Sequence, residues 1–159
     1  MLIKRNQIFL ILILSFSLGM LRSFFISDPE FSIIKKKRVL ETINTFTIPT
    51  DMAGPMVVNL EFAKYHHENA SAIFIDARDA EEYEAGHINS AINIPYDNLE
   101  DYEDMIDELD ETAVYITYCN GEDCSLSLDL ADYLYNEKLF DNMLIFEGGW
   151  PKWKDAGYP

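Results

Sequence analysis

Beyond residue 55 the chain alternates short apolar runs with stretches whose apolar residues recur at helical spacing. The runs at 56–58, 72–76, 91–94, 113–118 and 143–146 predict five strands. Helical patterns at 60–65, 79–85, 99–109, 125–137 and 148–156 separate and follow them, that at 99–109 being strongly acidic. Strand and helix alternating at this spacing predict an α/β fold, a mostly parallel five-stranded sheet with helices on both faces. In such sheets ligands bind beyond the carboxyl ends of strands. Three strands end in residues of chemical interest, Asp76 with Arg78, Pro95, and Cys119, and these should meet on one rim.

The chain before residue 56 reads differently. Lys4 and Arg5 precede an apolar run over 8–21, and Arg22 follows it. Its length lies between a signal-peptide core and the roughly 20 residues of a spanning helix. Large residues stand where a cleavage site needs small ones, and Phe24, Phe25 and Ile26 extend the span if Arg22 snorkels to the interface. Residues 1–26 are therefore read as an N-terminal membrane helix, with a cleaved signal peptide as the alternative. Lys4 and Arg5 ahead of the run match an export signal and favour a domain outside the cytoplasm, against the pull of Arg22 and Lys35–Arg38. Residues 27–55, with Pro29, Pro49, Gly54 and Pro55 and no sustained period, read as a linker. Residues 56–159 then form one domain.

Charge narrows the partners. The chain carries a formal −16; after Gly54 five basic residues face 24 acidic ones, a net of −19. A domain that acidic is repelled by phosphate backbones, so nucleic acid is excluded as a partner. The 48% apolar and 13% aromatic content suits a packed core and excludes a disordered chain.

Both cysteines lie in one stretch, Cys119-Asn120-Gly121-Glu122-Asp123-Cys124-Ser125, between a predicted strand and a predicted helix. A cysteine there sits where backbone N–H groups converge and the helix dipole presents its positive end, an environment that favours a thiolate. No His and Cys cluster has zinc spacing, and Cys-x4-Cys alone is a weak metal signal, so no metal is expected. Two cysteines five apart are a reactive site or a small redox pair rather than a disulfide framework.

Flanking residues carry a resemblance. Asp76-Ala77-Arg78, Glu82-Tyr83, Gly86-His87-Ile88 and Ala91-Ile92-Asn93-Ile94-Pro95 resemble the first signature of rhodanese-like domains, with its Asp-x-Arg, Glu-Tyr, Gly-His-Ile and Ala-x-x-x-Pro elements. Gly148-Gly149-Trp150-Pro151-Lys152-Trp153, running on to Gly157-Tyr158-Pro159, resembles the closing signature, and Cys119 falls where that family keeps its catalytic cysteine. The likeness covers 56–159 and implies a rhodanese-like fold and sulfur transfer with no cofactor. As a thiolate, Cys119 would take the outer sulfur of a thiosulfate, persulfide or polysulfide donor, hold it as a persulfide, and pass it to an acceptor thiol. The partners implied are thus a small sulfur donor and a thiol acceptor. Asn120, Gly121, Glu122, Asp123, Cys124 and Ser125 would form the substrate-binding loop, whose N–H groups stabilise the sulfur anion.

The loop also departs from the family pattern. Many active members end it in Arg or Thr and place a basic residue early; here Cys124 takes the end, and Glu122 and Asp123 bring negative charge. Two carboxylates beside the sulfur oppose the thiolate and repel dianionic thiosulfate, so a thiol-borne persulfide is the better donor. Cys124 reads either as a small core-facing residue or as a resolving thiol that forms a disulfide with Cys119. Two other classes of function follow, a catalytically silent binding or sulfur-carrier module at the membrane and a thiol-disulfide redox protein. Asp76 and Arg78 read as a supporting ion pair, His87 as a backbone-bridging residue of its turn, and Trp150 as packing for the last helix at the pocket mouth. His66 and His67 read as surface residues.

Overall fold

The computed structural model describes residues 13–17, 40–43, 45–50, 52–121 and 124–159. The chain divides into two units, Met1–Val39 and Leu40–Pro159. In the first, residues 13–17 are helical, and the rest of the membrane segment read over 1–26 lies outside the described residues. Among the described residues no helix is long and apolar enough to cross a membrane.

The second unit contains strands β1 (Thr42–Ile43), β2 (Met56–Val58), β3 (Ile73–Asp76), β4 (Ile92–Asn93), β5 (Val114–Tyr118) and β6 (Asn142–Phe146). Its helices are α1 (Leu60–Glu68), α2 (Ala80–Ala85), α3 (Glu103–Asp107), α4 (Leu126–Asn136) and α5 (Gly149–Asp155), with a 3-10 stretch at Tyr96–Asp101. The strands form one sheet in the order β1-β2-β6-β5-β3-β4, and every pairing is parallel.

Among the described residues the sheet has six strands, where the sequence predicts five. The added strand, β1, lies in the stretch read as linker, and pairs Thr42 with Val57 and Ile43 with Val58. Two residues are too few to show a period, yet Ile43 is only 5% exposed and joins the core.

Alternate strand residues serve opposite faces. Phe74, Ile116, Leu144 and Phe146 point to the face covered by Phe62 and Ala63 of α1 and Trp153 of α5. Ile75, Tyr115, Met143 and Ile145 point to the other, under Ile106 of α3 and Leu130, Ala131 and Leu134 of α4. In α4 the buried positions are Ser127, Leu130, Ala131 and Leu134, the spacing of one helical face. Caps set two helix starts: Asn59 and Asp79 side chains accept from Phe62 N and Glu82 N, each at 2.8 Å.

Two further expectations are corrected. The helix expected over 99–109 is broken into the 3-10 stretch, irregular at Asn98 (φ −131°, ψ 33°), and the short α3. Repulsion along the acidic run disfavours one continuous helix, while Leu99, Tyr102 and Ile106 still reach the α4 face. His66 is buried, not on the surface: its Nε2–H donates to the Phe46 carbonyl at 3.0 Å, and its Nδ1 accepts from the Ser71 hydroxyl at 2.7 Å. Burial lowers its pKa, outweighing the opposing bond to Phe46.

Candidate active site

The strand order creates the crevice. From β3 the chain passes through α2 outward to β4; from β5 it passes through α4 the opposite way to β6. Connections that part in this manner leave an opening at the carboxyl ends of the two neighbouring strands. The register sets Asp76 beside Tyr118 and Tyr118 beside Phe146. The next residues along, Arg78, Cys119 and the turn at Gly148 and Gly149, therefore share one rim.

On the β3 side, Asp76 and Arg78 are both buried. Arg78 donates from Nε to Asp76 Oδ1 at 2.9 Å and from Nη2 to Oδ2 at 2.6 Å, and its backbone N–H reaches Oδ1 at 3.0 Å. Nη2 also donates to the Gly86 carbonyl at 2.8 Å. Burial works against the guanidinium charge, but hydrogen bonding and charge from Asp76 prevail and raise its pKa. The guanidinium carbon lies 5.9 Å from the Tyr118 ring centre and 5.8 Å from that of Trp150. The Tyr118 hydroxyl accepts from Ile88 N at 3.1 Å, and burial drives its pKa upward. Both Asp76 carboxylate oxygens and the Arg78 Nε and Nη2 groups are thus engaged by other protein groups.

The turn after β6 clamps the Cys119 backbone. Trp150 N–H donates to the Cys119 carbonyl at 2.8 Å. Gly149 (φ +58°) has no room for a side chain: a Cβ there would stand 2.2 Å from the Cys119 carbonyl oxygen and 2.6 Å from Gly121 N. A methyl group at Gly86 would stand 2.7 Å from Trp150 Cζ2, so this glycine seats the indole beside Arg78. Gly149 of the closing signature thus lets the start of α5 touch the cysteine loop.

Cys119 itself is 1% exposed, while Cys124 is half-buried. Their sulfurs are joined in a disulfide, with Cα atoms 6.4 Å apart. Cys119 Sγ accepts from the Ser127 hydroxyl at 3.3 Å and lies 3.4 Å from the Cys124 carbonyl oxygen. Cys124 N–H donates to the Gly121 carbonyl at 2.9 Å, closing a tight turn. Of the ring of N–H groups expected to face the sulfur, this one is therefore turned to the loop's own backbone. Glu122 and Asp123 lie outside the described residues.

The remaining predicted residues fall as follows. Asn120 is exposed, and its side-chain amide donates to Glu82 Oε1 at 2.7 Å. Ser125 is exposed and gives α4 no side-chain cap, leaving the first N–H groups of that helix uncapped by it. His87 donates from Nδ1 to the Tyr83 carbonyl at 2.8 Å and stacks on the Tyr83 ring at 3.8 Å. Sequence reasoning missed Glu82 and Ser127. Ser127 had a signal, being the polar member of the buried α4 stripe; Glu82 had none beyond its place in the Glu-Tyr element.

Comparison with known proteins agrees with this geometry. The profile of the Rhodanese-like domain family matches residues 59–156. The chain belongs to the rhodanese-like domain family. Among curated proteins, this rhodanese-like chain is 33% identical over 97 residues to an HTH-type transcriptional regulator of Mycobacterium tuberculosis, covering 58% of this chain and 38% of that protein. It is 31% identical over 85 residues to a tRNA uridine(34) hydroxylase of Sodalis glossinidius, covering 52% of this chain and 23% of that protein. The chain thus spans well under half the length of these curated relatives. A crystal structure of the BH2092 protein from Bacillus halodurans superposes with a TM-score of 0.55 at 27% identity, over 63% of this chain and 72% of that one. The rhodanese-like domain of an Anabaena protein shares the fold, with a TM-score of 0.53 at 24% identity over 68% and 78% of the two chains.

Proposed function

We propose that this rhodanese-like domain is a sulfurtransferase that accepts a sulfane sulfur on Cys119 and hands it to a thiol. The observation that carries the reading is the place of Cys119, at the carboxyl end of β5 in the strand crevice, its carbonyl held by Trp150 and its sulfur against Ser127 at the start of α4. In the reduced state, the positive end of the α4 dipole and the Ser127 hydroxyl stabilise a thiolate. That thiolate attacks the outer sulfur of the donor, the donor thiolate leaves, and the Cys119 persulfide is then attacked by the acceptor. Nucleophilic catalysis divides the transfer into two easier displacements.

The preferred donor is a thiol-borne persulfide rather than thiosulfate. Glu82, bound to Asn120 of the loop, places a carboxylate beside the crevice, and Glu122 and Asp123 add two more within the loop sequence. Negative charge at an entrance depresses encounter with a dianion more than with a neutral or singly charged donor. We further propose that residues 1–26 hold the domain at a membrane, on its extracytoplasmic side.

The test is a comparison of donors. The full-length chain, reduced, should transfer sulfur from glutathione persulfide faster than from thiosulfate, and Cys119→Ser should fall to background, a loss of roughly 10³-fold or more. Equal transfer by Cys119→Ser would remove the proposal, and thiosulfate preference would remove its donor. For topology, a membrane-impermeant thiol reagent applied to intact cells after mild reduction should label the chain; labelling only after lysis would place the domain inside.

A further inference from the structure

The transfer described above uses one of the two cysteines. We infer that Cys124 is a resolving thiol, which turns sulfur held on Cys119 into free sulfide, so that the domain also acts as a persulfide-reducing dithiol recharged by a dithiol reductant. The inference rests on the reading of Cys119 as the sulfur acceptor.

The first support is placement. The turn closed by Cys124 N–H and the Gly121 carbonyl holds the two Cα atoms 6.4 Å apart, and the two sulfurs are bonded. That separation lies within the range over which cysteine side chains bridge. A thiol in the same loop as the persulfide meets it at a high effective concentration, in competition with a soluble acceptor.

The second support is an asymmetry. Cys119 is 1% exposed, with its sulfur against the Ser127 hydroxyl and the Cys124 carbonyl, whereas Cys124 is only half-buried. In the disulfide-bonded chain an incoming thiolate therefore reaches Cys124 before Cys119. The departing sulfur is then that of Cys119, which leaves against the Ser127 hydroxyl at 3.3 Å, near the start of the 11-residue α4. Breaking the disulfide from this side regenerates the nucleophile where it is needed.

The steps balance. The Cys124 thiolate attacks Sγ of the Cys119 persulfide; the bond from that Sγ to the outer sulfur breaks, and the outer sulfur leaves with the electron pair as hydrosulfide. The two cysteines are jointly oxidised by two electrons and the sulfane sulfur is reduced to sulfide. The first thiolate of the reductant then attacks Cys124 Sγ, and Cys119 departs as thiolate. Its second thiol attacks the mixed disulfide, releasing the Cys124 thiolate and leaving the reductant oxidised.

The test gives the reduced full-length chain one equivalent of glutathione persulfide without oxygen or added reductant, then reads sulfide and intact mass. The wild type should release about one equivalent of sulfide and become two hydrogens lighter. Cys124→Ser should instead hold the sulfur, about 32 Da heavier, and release sulfide at least roughly tenfold more slowly. Cys124→Ala should match it, which separates the missing thiol from a folding defect. A wild type that keeps the added sulfur as long as these variants overturns the inference and leaves sulfur loading intact; variants that never gain sulfur overturn both. Finally, a monothiol added to the oxidised chain should leave a mixed disulfide on Cys124 and an alkylatable Cys119. The reverse pattern overturns the assigned direction.

Discussion

The two sides of the crevice are built from similar materials to opposite ends. After β3 stand Asp76 and Arg78, a buried charge pair whose donors and acceptors go to each other, to Gly86 and to local backbone. After β5 stands Cys119, whose backbone is held by Trp150 and whose sulfur, among the described residues, has the Ser127 hydroxyl, the Cys124 carbonyl and the other cysteine as its polar partners. A charged group whose hydrogen-bonding capacity is met within the protein is scaffold; a polarizable atom held in place with few strong partners is available for chemistry. Proximity to the crevice does not separate the two, and the fate of the polar groups does.

The largest effect should come from breaking the scaffold side. Arg78→Met leaves the Asp76 carboxylate buried without its partner, and should cost about 3–5 kcal/mol in chemical denaturation. Asp76→Asn combined with Arg78→Met should recover part of that loss, since neither charge is then stranded. The folded fraction of Arg78→Met should still take up sulfur on Cys119. Undiminished stability together with lost sulfur uptake would move Arg78 to the chemical side.

Next is the clamp joining the sides. Gly149→Ala forces a side chain into a left-handed residue whose Cβ would lie 2.2 Å from the Cys119 carbonyl oxygen. The backbone alone should cost about 1–2 kcal/mol, and the clash should displace the loop and slow sulfur loading. Full activity in this variant would show that the loop's chemistry does not depend on α5.

Smaller still is the charge at the mouth. Glu82→Gln should change stability by no more than about 0.5 kcal/mol. It should raise transfer from thiosulfate by up to roughly fivefold at low salt, with little change for glutathione persulfide, an effect that added salt should diminish. An equal gain for both donors would argue against charge exclusion.

The smallest prediction concerns His66, away from the rim. Its pKa is lowered in the folded chain, so the unfolded chain binds its proton more readily. Stability from this residue is therefore present above the ordinary value near 6.5 and is lost as pH falls below it. Thermal melts of His66→Gln should show less weakening between pH 7.5 and pH 5.5 than the wild type.

How much of this was legible in the sequence follows from what each feature rests on. The α4 face, with Ser127, Leu130, Ala131 and Leu134, repeats often enough to be read as a period, and Asp79 announces the start of α2. The rim is legible because ligands in parallel sheets bind at strand ends, which is where the sequence puts Asp76 with Arg78, Pro95 and Cys119. By contrast, β1 has two residues and is defined by the neighbour it pairs with, information a local pattern lacks. His66 sits in a polar stretch of α1 and is covered by Phe46 and Ser71, one of them 20 residues away. The reason for Gly149 lies in the Cys119 carbonyl across the crevice, so the glycine is visible in the motif while its cause is not.

The central claim is that sulfur resides on Cys119, and the most direct measurement is to find the atom. A glutathione persulfide carrying a labelled outer sulfur, given to the full-length Cys124→Ser chain and trapped by alkylation, should place the label on the peptide containing Cys119, and Cys119→Ser should carry none. Label retained after Cys119→Ser, or absent from a folded Cys124→Ser chain, would contradict the account.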